Sequence, residues 1–232
     1  MTTSLTFTVA AGSGSTATED EQTVEVRRVL NFGYAGRDQD HVRAHVQEMA
    51  GLAPPPSRVP ALFPLPPGQV AGPGTITVAG ADTYAEVEFA LVHTGREWLV
   101  TIASDHSDAK VEEHSTPRAK AACPDVLAAR AWRLADVLAD WDDCTLHLEA
   151  HGPDGSDVVQ QGAVAELLSP TALIEILRER TGAAAEEGTV VLSGTIGGLP
   201  ATGYTSWTAT LGSSSREDLV LSYAITALPD EL

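Results

Sequence analysis

Residues 85–92 read AEVEFALV. Val87, Phe89 and Leu91 alternate as the buried face of a strand does. Glu86 and Glu88 fall between them, so in an extended chain both carboxylates point to one side. Such a pair is either the solvated face of a one-sided sheet or part of a cation site. The strand runs into HTGRE, a turn, and returns as a second strand whose far end, IASDHSD, carries Asp105. A hairpin brings the end of its second strand back beside the start of its first, so Asp105 comes close to the pair. Three converging carboxylates cannot all stay ionised without a cation. Three oxygen donors with room for water suit Mg²⁺ or Mn²⁺, which keep open positions for substrate oxygens.

The totals bound the rest. With 232 residues and 43% hydrophobic content, the chain can bury a real core and is not disordered in composition. Acidic residues outnumber basic ones 32 to 14, for a formal charge of −18. That surface repels phosphate backbones and anionic lipid, which argues against nucleic-acid and membrane partners. No apolar run is long enough to span a bilayer. The first residues have no basic region followed by a long apolar core, so no signal peptide is expected. Cys123 and Cys144 form no disulfide framework, and the expected compartment is the reducing cytoplasm.

Along the chain, TSLTFTV (3–9) predicts a strand, followed by a soft GSGSTATEDE loop. QTVEVRRVLNFGYAGR (22–37) reads as a strand ending in a Gly-rich turn. DQDHVRAHVQEMAGL (38–52) has helical spacing, with Val42, Val46 and Met49 on one face, Asp38 or Asp40 as cap and Gly51 as stop. Eight of the 14 prolines lie in residues 53–74, which predicts a stiff, extended connection. GTITVAG (74–80) is a short strand. PDVLAARAWRLADVLADW (124–141) predicts an amphipathic helix with Val126, Leu127, Ala131, Leu134, Val137 and Leu138 inward. CTLHLEAHGPDGSDVVQQG (144–162) predicts a hairpin turning at GPDG. SPTALIEILRERTG (169–182) is a punctuated helix: Ser169 as N-cap, Pro170 in the first turn, Gly182 as C-cap. TVVLSGTIGG (189–198) is a buried strand entering a Gly-rich loop, and the chain ends in another hairpin. The sum is a β-rich α+β protein of one domain.

Other residues carry chemistry. His41, His45 and Glu48 share spacings of four and three on one helix. They fit a polar outer face, a two-histidine zinc site with His106 or His114 as further ligands, or a His45–Glu48 acid/base pair. Lys120, in HSTPRAKAACPD, is a surface lysine or the stabiliser of charge developing near a metal. SGTIGG (193–198) is a tight exit turn or a set of backbone N–H groups aimed at a carboxylate.

These pieces occur in an order that resembles the fumarylacetoacetate hydrolase-like superfamily, most closely an uncharacterised bacterial subfamily of this length. The resemblance runs from roughly residue 30 to 200. GRDQDHVRAHVQEM looks like its lid, AEVEFALV like its Glu-x-Glu strand, and IASDHSD like the strand end with the third metal aspartate. RAKAACPD is similar to its Lys-containing segment, DGSDVVQQGAVAELLSPTALIEIL to its glutamine hairpin and Pro-started helix, and EEGTVVLSGTIGG to its late Gly-Thr strand.

The resemblance implies a rolled mixed β-sheet core with short flanking helices. The N-terminal strands and lid would span 1–75 and the metal-binding core 76–232. It implies Glu86, Glu88 and Asp105 as ligands of Mg²⁺ or Mn²⁺, and His45 and Glu48 as the lid pair that activates water. Lys120 would stabilise charge. Thr195 and the backbone near Gly194 would bind the substrate carboxylate, with Gln161 and Arg37 lining the pocket. It further implies a homodimer acting on a small 2-oxo acid or acylpyruvate-like compound through a metal-bound enolate, with C–C hydrolysis as the reaction. Decarboxylation, hydration or isomerisation at the same site, and a catalytically silent binding protein, are the alternatives. The sequence departs from the family in four places. The acidic hairpin is shorter than in the better-known hydrolases. His41 stands beside His45 in a longer lid. Ala109 stands where relatives tend to have arginine, with Lys110 one residue later. Ile196 replaces the usual Pro after Gly-Thr.

Overall fold

The hairpin opened by AEVEFALV lies at the centre of a curled mixed sheet. In the computed structural model of the chain, residues 3–10, 19–48, 55–182, 185–198 and 201–229 are described. Most of the GSGSTATEDE loop, Met49, Gly51 and the side chains of His45 and Glu48 lie outside the described part.

The first strands are β1 (Thr3–Val9), β2 (Asp20–Val26), β3 (Arg28–Gly33), β4 (Ala61–Leu65), β5 (Val70–Ala71) and β6 (Gly74–Val78). The central hairpin is β7 (Thr83–His93) and β8 (Trp98–Asp108), followed by β9 (Asp125–Leu127) and β10 (Arg130–Arg133). The remainder are β11 (Thr145–Gly152), β12 (Gly155–Ala163), β13 (Thr189–Leu192), β14 (Ser206–Gly212) and β15 (Leu219–Ala227). The helices are short: α1 (Gln39–Glu48), α2 (Ala109–Glu112), α3 (Thr116–Ala122), α4 (Leu134–Val137) and α5 (Pro170–Thr181).

One sheet runs β2-β1-β10-β8-β7-β13-β3-β4, with β9 pairing both β8 and β5. The other runs β12-β11-β14-β15-β6. Parallel pairs, β1 with β10 and β13 with β3, sit among antiparallel ones. Strand β7 has apolar neighbours on both faces. Val87, Phe89 and Leu91 join the core shared with the second sheet, including Leu146, Leu148 and Trp207. Ala90 and Val92, on the face of the two glutamates, pack with Leu99, Leu127, Val190 and Leu192 in a second cluster. The carboxylates therefore share a face with a core.

The predicted helix over 124–141 is not one. Residues 125–127 and 130–133 are strands β9 and β10, and helical geometry begins only at α4, continuing as a 3₁₀ turn over Leu138–Asp143. Val126, Leu127, Ala128, Ala131 and Trp132 are all buried. A short strand covered on both faces reads as a continuous apolar run, and such a run matches helical spacing as well as strand spacing. Leu138, expected inward, is 40% exposed. The 22–37 strand is also two elements. Arg27 separates β2, which pairs with β1, from β3, which pairs with β13 and β4. The proline-rich stretch supplies β4, which keeps Pro64 because β4 is the last strand of its sheet.

Other punctuation holds as expected. Asp38 Oδ1 accepts from the amides of Asp40 and His41 at the start of α1. Ser169 caps α5, with Pro170 following and Gly182 closing it at φ 70°.

Candidate metal centre

In the β7–β8 register Glu86 stands directly opposite Asp105. Glu88 lies two residues along the same face. Ligand oxygens of Glu86, Glu88 and Asp105 all lie within 4.8 Å of one another. Glu88 and Asp105 are fully buried, whereas the Glu86 side chain keeps 26% exposure and forms the open side of the cluster.

Each buried carboxylate is held from outside the hairpin. Gly194 donates its amide to Glu88 Oε2 at 2.8 Å, and Glu88 Oε1 is buried with no hydrogen-bond partner among the described residues. Asn31, from β3, donates Nδ2 to Asp105 Oδ2 at 3.0 Å. Lys120, 5% exposed on α3, pairs with Asp105 and lies 3.7 Å from Glu86 Oε2. A further acid, Asp125 on β9, is fully buried, and neither of its oxygens meets an N–H or hydroxyl donor. Burial, then the charges of Asp105 and Glu88, push its pKa well above the usual carboxylate range.

The charges do not balance. Burial raises Glu86 to about 7, with Lys120 pulling it down and Asp105 pushing it up. Burial and then Asp105 raise Glu88 well above the usual range. Among the described residues, Lys120 is the one cation whose charge acts on these groups. Without another, the carboxyls hold protons they would lose in water. An orphaned buried oxygen on Glu88 and three convergent oxygen donors fit a hard divalent cation.

The Ser193–Thr195 loop continues where strand pairing stops. Strand β13 pairs with β7 as far as Leu192 opposite Ala90. Beyond it the Ser193 amide still donates to the Phe89 carbonyl at 3.0 Å, and side chains also satisfy the β7 backbone. The amide of Phe89 donates to Ser193 Oγ at 3.1 Å, and Thr195 Oγ1 donates to the carbonyl of Val87 at 2.8 Å. Gly194 has φ 79°, and a Cβ there would come within 3.0 Å of the Phe32 carbonyl oxygen, so the close approach requires glycine.

These contacts involve residues expected to bind substrate. The Gly194 amide donates to Glu88 and the Thr195 hydroxyl to the Val87 carbonyl. Gln161 is exposed. Its neighbour Gln160 is the buried one. Gln160 accepts from the Val87 amide at 2.8 Å and donates to Thr195 Oγ1 at 2.9 Å. Adjacent strand residues face opposite ways, and a register shift in β11–β12 beside Leu148 sets which glutamine turns inward. Arg37 forks onto Asp142 with two 2.7 Å bonds and donates to the Leu167 carbonyl. Lys110 pairs with Asp82, and Ala109 opens α2 behind the Asp108 cap. Sequence reading missed Asn31, Asp125 and Gln160. It missed Glu112 too, whose carboxylate accepts from the Tyr84 hydroxyl near Glu86.

The fold is that of the fumarylacetoacetate hydrolase-like superfamily. Yeast ynq8, described as a fumarylacetoacetate hydrolase family protein, has a TM-score of 0.58 at 14% identity, over 88% of this chain and 94% of that one. A 2-keto-3-deoxy-D-arabinonate dehydratase complexed with magnesium and 2,5-dioxopentanoate gives 0.59 at 16%, over 92% and 79%. Maleylpyruvate hydrolase from Sphingobium sp. SYK-6, in complex with manganese(II) ion and pyruvate, gives 0.58 at 13%, over 90% and 77%. At these identities the likeness is one of fold. The chain belongs to the family described as protein of unknown function (DUF2848), whose model matches residues 32–218. A comparison with curated proteins returned no match.

Proposed function

We propose that this chain is a Mg²⁺- or Mn²⁺-dependent enzyme that hydrolyses a C–C bond in a small 2-oxo acid or acylpyruvate-like substrate. The observation that carries the reading is the buried Glu86–Glu88–Asp105 cluster with its unpartnered Glu88 oxygen. Two of the proteins sharing the fold hold magnesium or manganese with 2,5-dioxopentanoate or pyruvate, which supports both metal and substrate class.

Glu86, Glu88 and Asp105 would hold the cation, which when bound acts as a Lewis acid for the substrate's oxygens. Gly194 and Asn31 keep Glu88 and Asp105 in place. Lys120, buried beside Asp105, supplies positive charge as the electron pair of the breaking bond moves to the carbon beside the 2-oxo group. His45, with Glu48 three residues on in α1, would take a proton from the attacking water. The hydroxyl adds to the carbonyl carbon, the C–C bond breaks, and the proton goes to the carbon that leaves.

The test is a panel of 2-oxo acids and acylpyruvates assayed with Mg²⁺ or Mn²⁺, beside thermal unfolding with Mn²⁺ plus oxalate. Turnover that requires the cation, together with stabilisation by the pair, is expected. No shift with cation and oxalate, and no turnover on the panel, would overturn the reading.

A further inference from the structure

Three arginines line one cavity beside the cluster, two of whose wall residues, Glu112 and Tyr34, feel the charges of Glu86 and Lys120. The cavity, of about 620 Å³, lies between β3, β4, the segment joining α2 to α3 and the end of α5, and Arg28, Arg58 and Arg180 line it. The chain has 14 basic residues against 32 acidic ones, so carboxylate partners are plentiful. Arg37, Arg43, Arg130 and Arg133 each take one. None of the three cavity arginines has an ion-pair partner among the described residues.

Arg58 and Arg180 are also close enough to feel each other's charge. Arg180 donates Nη1 to the Pro60 carbonyl at 2.6 Å, and burial followed by the charge of Arg58 holds its pKa below the usual arginine value. Like charges held together are unfavourable, and for Arg180 the carboxylate of Glu179 offsets this only in part. Tyr34, on the same wall, has φ 57°. A tyrosine in the left-handed region is uncommon and strained, and such residues concentrate at ligand sites. The Tyr34 carbonyl is pinned there by Gln39 Nε2 at 3.1 Å. Leu30, Leu62, Phe63 and Pro64 give the cavity an apolar wall. Its size falls within the range of small-molecule sites, about 300–1,000 Å³. Glu86, Glu88, Asp105 and Lys120 do not line it. Glu112 does, and its carboxylate is bound to the Tyr84 hydroxyl.

We propose that this cavity binds a small organic anion of two or more charges, its oxygens held by Arg28, Arg58 and Arg180 and its carbon body resting on the apolar wall. Guanidinium forks match carboxylate and phosphate oxygens alike. The site does not depend on the metal reading.

Calorimetry on the metal-free full chain, at ionic strength matched with NaCl, tests it with phthalate, phenyl phosphate and benzoate. Phthalate or phenyl phosphate should bind, the tighter naming the oxyanion, and benzoate should bind more weakly. Arg58→Gln and Arg28→Gln should each weaken binding ~10-fold or more. Glu88→Gln should leave it unchanged, which separates this site from the metal centre. Absence of binding by both dianions, equal affinity in the arginine variants, or loss in Glu88→Gln would each overturn the proposal.

Discussion

The amide of Gly194 and the carboxylate of Glu88 meet at 2.8 Å, across 106 residues of sequence. The bond fixes one oxygen of Glu88 and leaves the other buried without a donor among the described residues. Glu88→Gln keeps the shape and removes the charge. Altering a residue that only supports a ligand weakens metal binding about 10–100-fold, so losing a ligand should weaken Mn²⁺ binding by ~100-fold or more. The metal-free variant should melt no lower than the parent, because a strained acid has become a neutral amide. Titration calorimetry checks the first expectation and circular dichroism melting the second. Unchanged Mn²⁺ affinity would remove Glu88 from the ligand set.

Lys120 is the cation that answers Asp105 and Glu86. Lys120→Met should destabilise the metal-free protein by about 3–5 kcal/mol, because buried carboxylates lose their partner. Mn²⁺ should then raise the melting temperature more in the variant than in the parent. Denaturant unfolding with and without Mn²⁺ reads both effects. An equal metal response would mean that Lys120 does not share the cation's charge role.

Gln160 and Gln161 should behave unlike each other despite adjacency. Gln160→Ala strips the Val87 amide and Thr195 hydroxyl of a buried partner and should cost about 1–3 kcal/mol. Gln161→Ala, at an exposed position, should stay within about 0.5 kcal/mol. Equal losses in urea unfolding would place both glutamines in the loop's support.

That pair marks the limit of what the sequence could carry. The acidic hairpin was legible because strand alternation and a single turn fix which residues face one another. Asp105 opposite Glu86 follows from that local rule. Gln160 was not legible, because a register shift in the neighbouring hairpin sets its facing. Asp125 was hidden in a segment whose apolar spacing suits a helix, and only burial from β5 and β8 makes it a strand. Asn31 belongs to the site through a contact spanning 74 residues, which no local pattern records.

His106 gives the fold a pH dependence. Its nitrogens meet Tyr223 Oη at 2.8 Å and Thr83 Oγ1 at 2.9 Å, and burial lowers its pKa to about 4, with Asp105 pulling the other way. In the unfolded chain a histidine titrates near 6.5. Between these values the unfolded state binds the extra proton. The stabilisation is therefore complete above about pH 6.5 and is lost as pH falls toward 4, by at most about 3 kcal/mol. Glu86, raised to about 7, works oppositely, losing stability as pH rises from its ordinary value to 7. Comparing the parent with His106→Gln cancels that contribution. Chemical unfolding at pH 5 and 7.5 should show a smaller acid loss in the variant, and equal losses would rule out His106.

The sequence separations across the cluster also set an order of assembly. Hairpins close in about 1–10 μs, whereas contacts between distant segments form later. The β7–β8 hairpin therefore gathers its three acids before Asn31 and Gly194, 74 and 106 residues away from their partners, can arrive. Lys120, 15 residues beyond Asp105, is the counter-charge near enough in sequence to reach the nascent hairpin early. A divalent cation present during refolding would share that task. The cluster is thus a point of electrostatic frustration early on the folding path, where metal supply and folding rate meet.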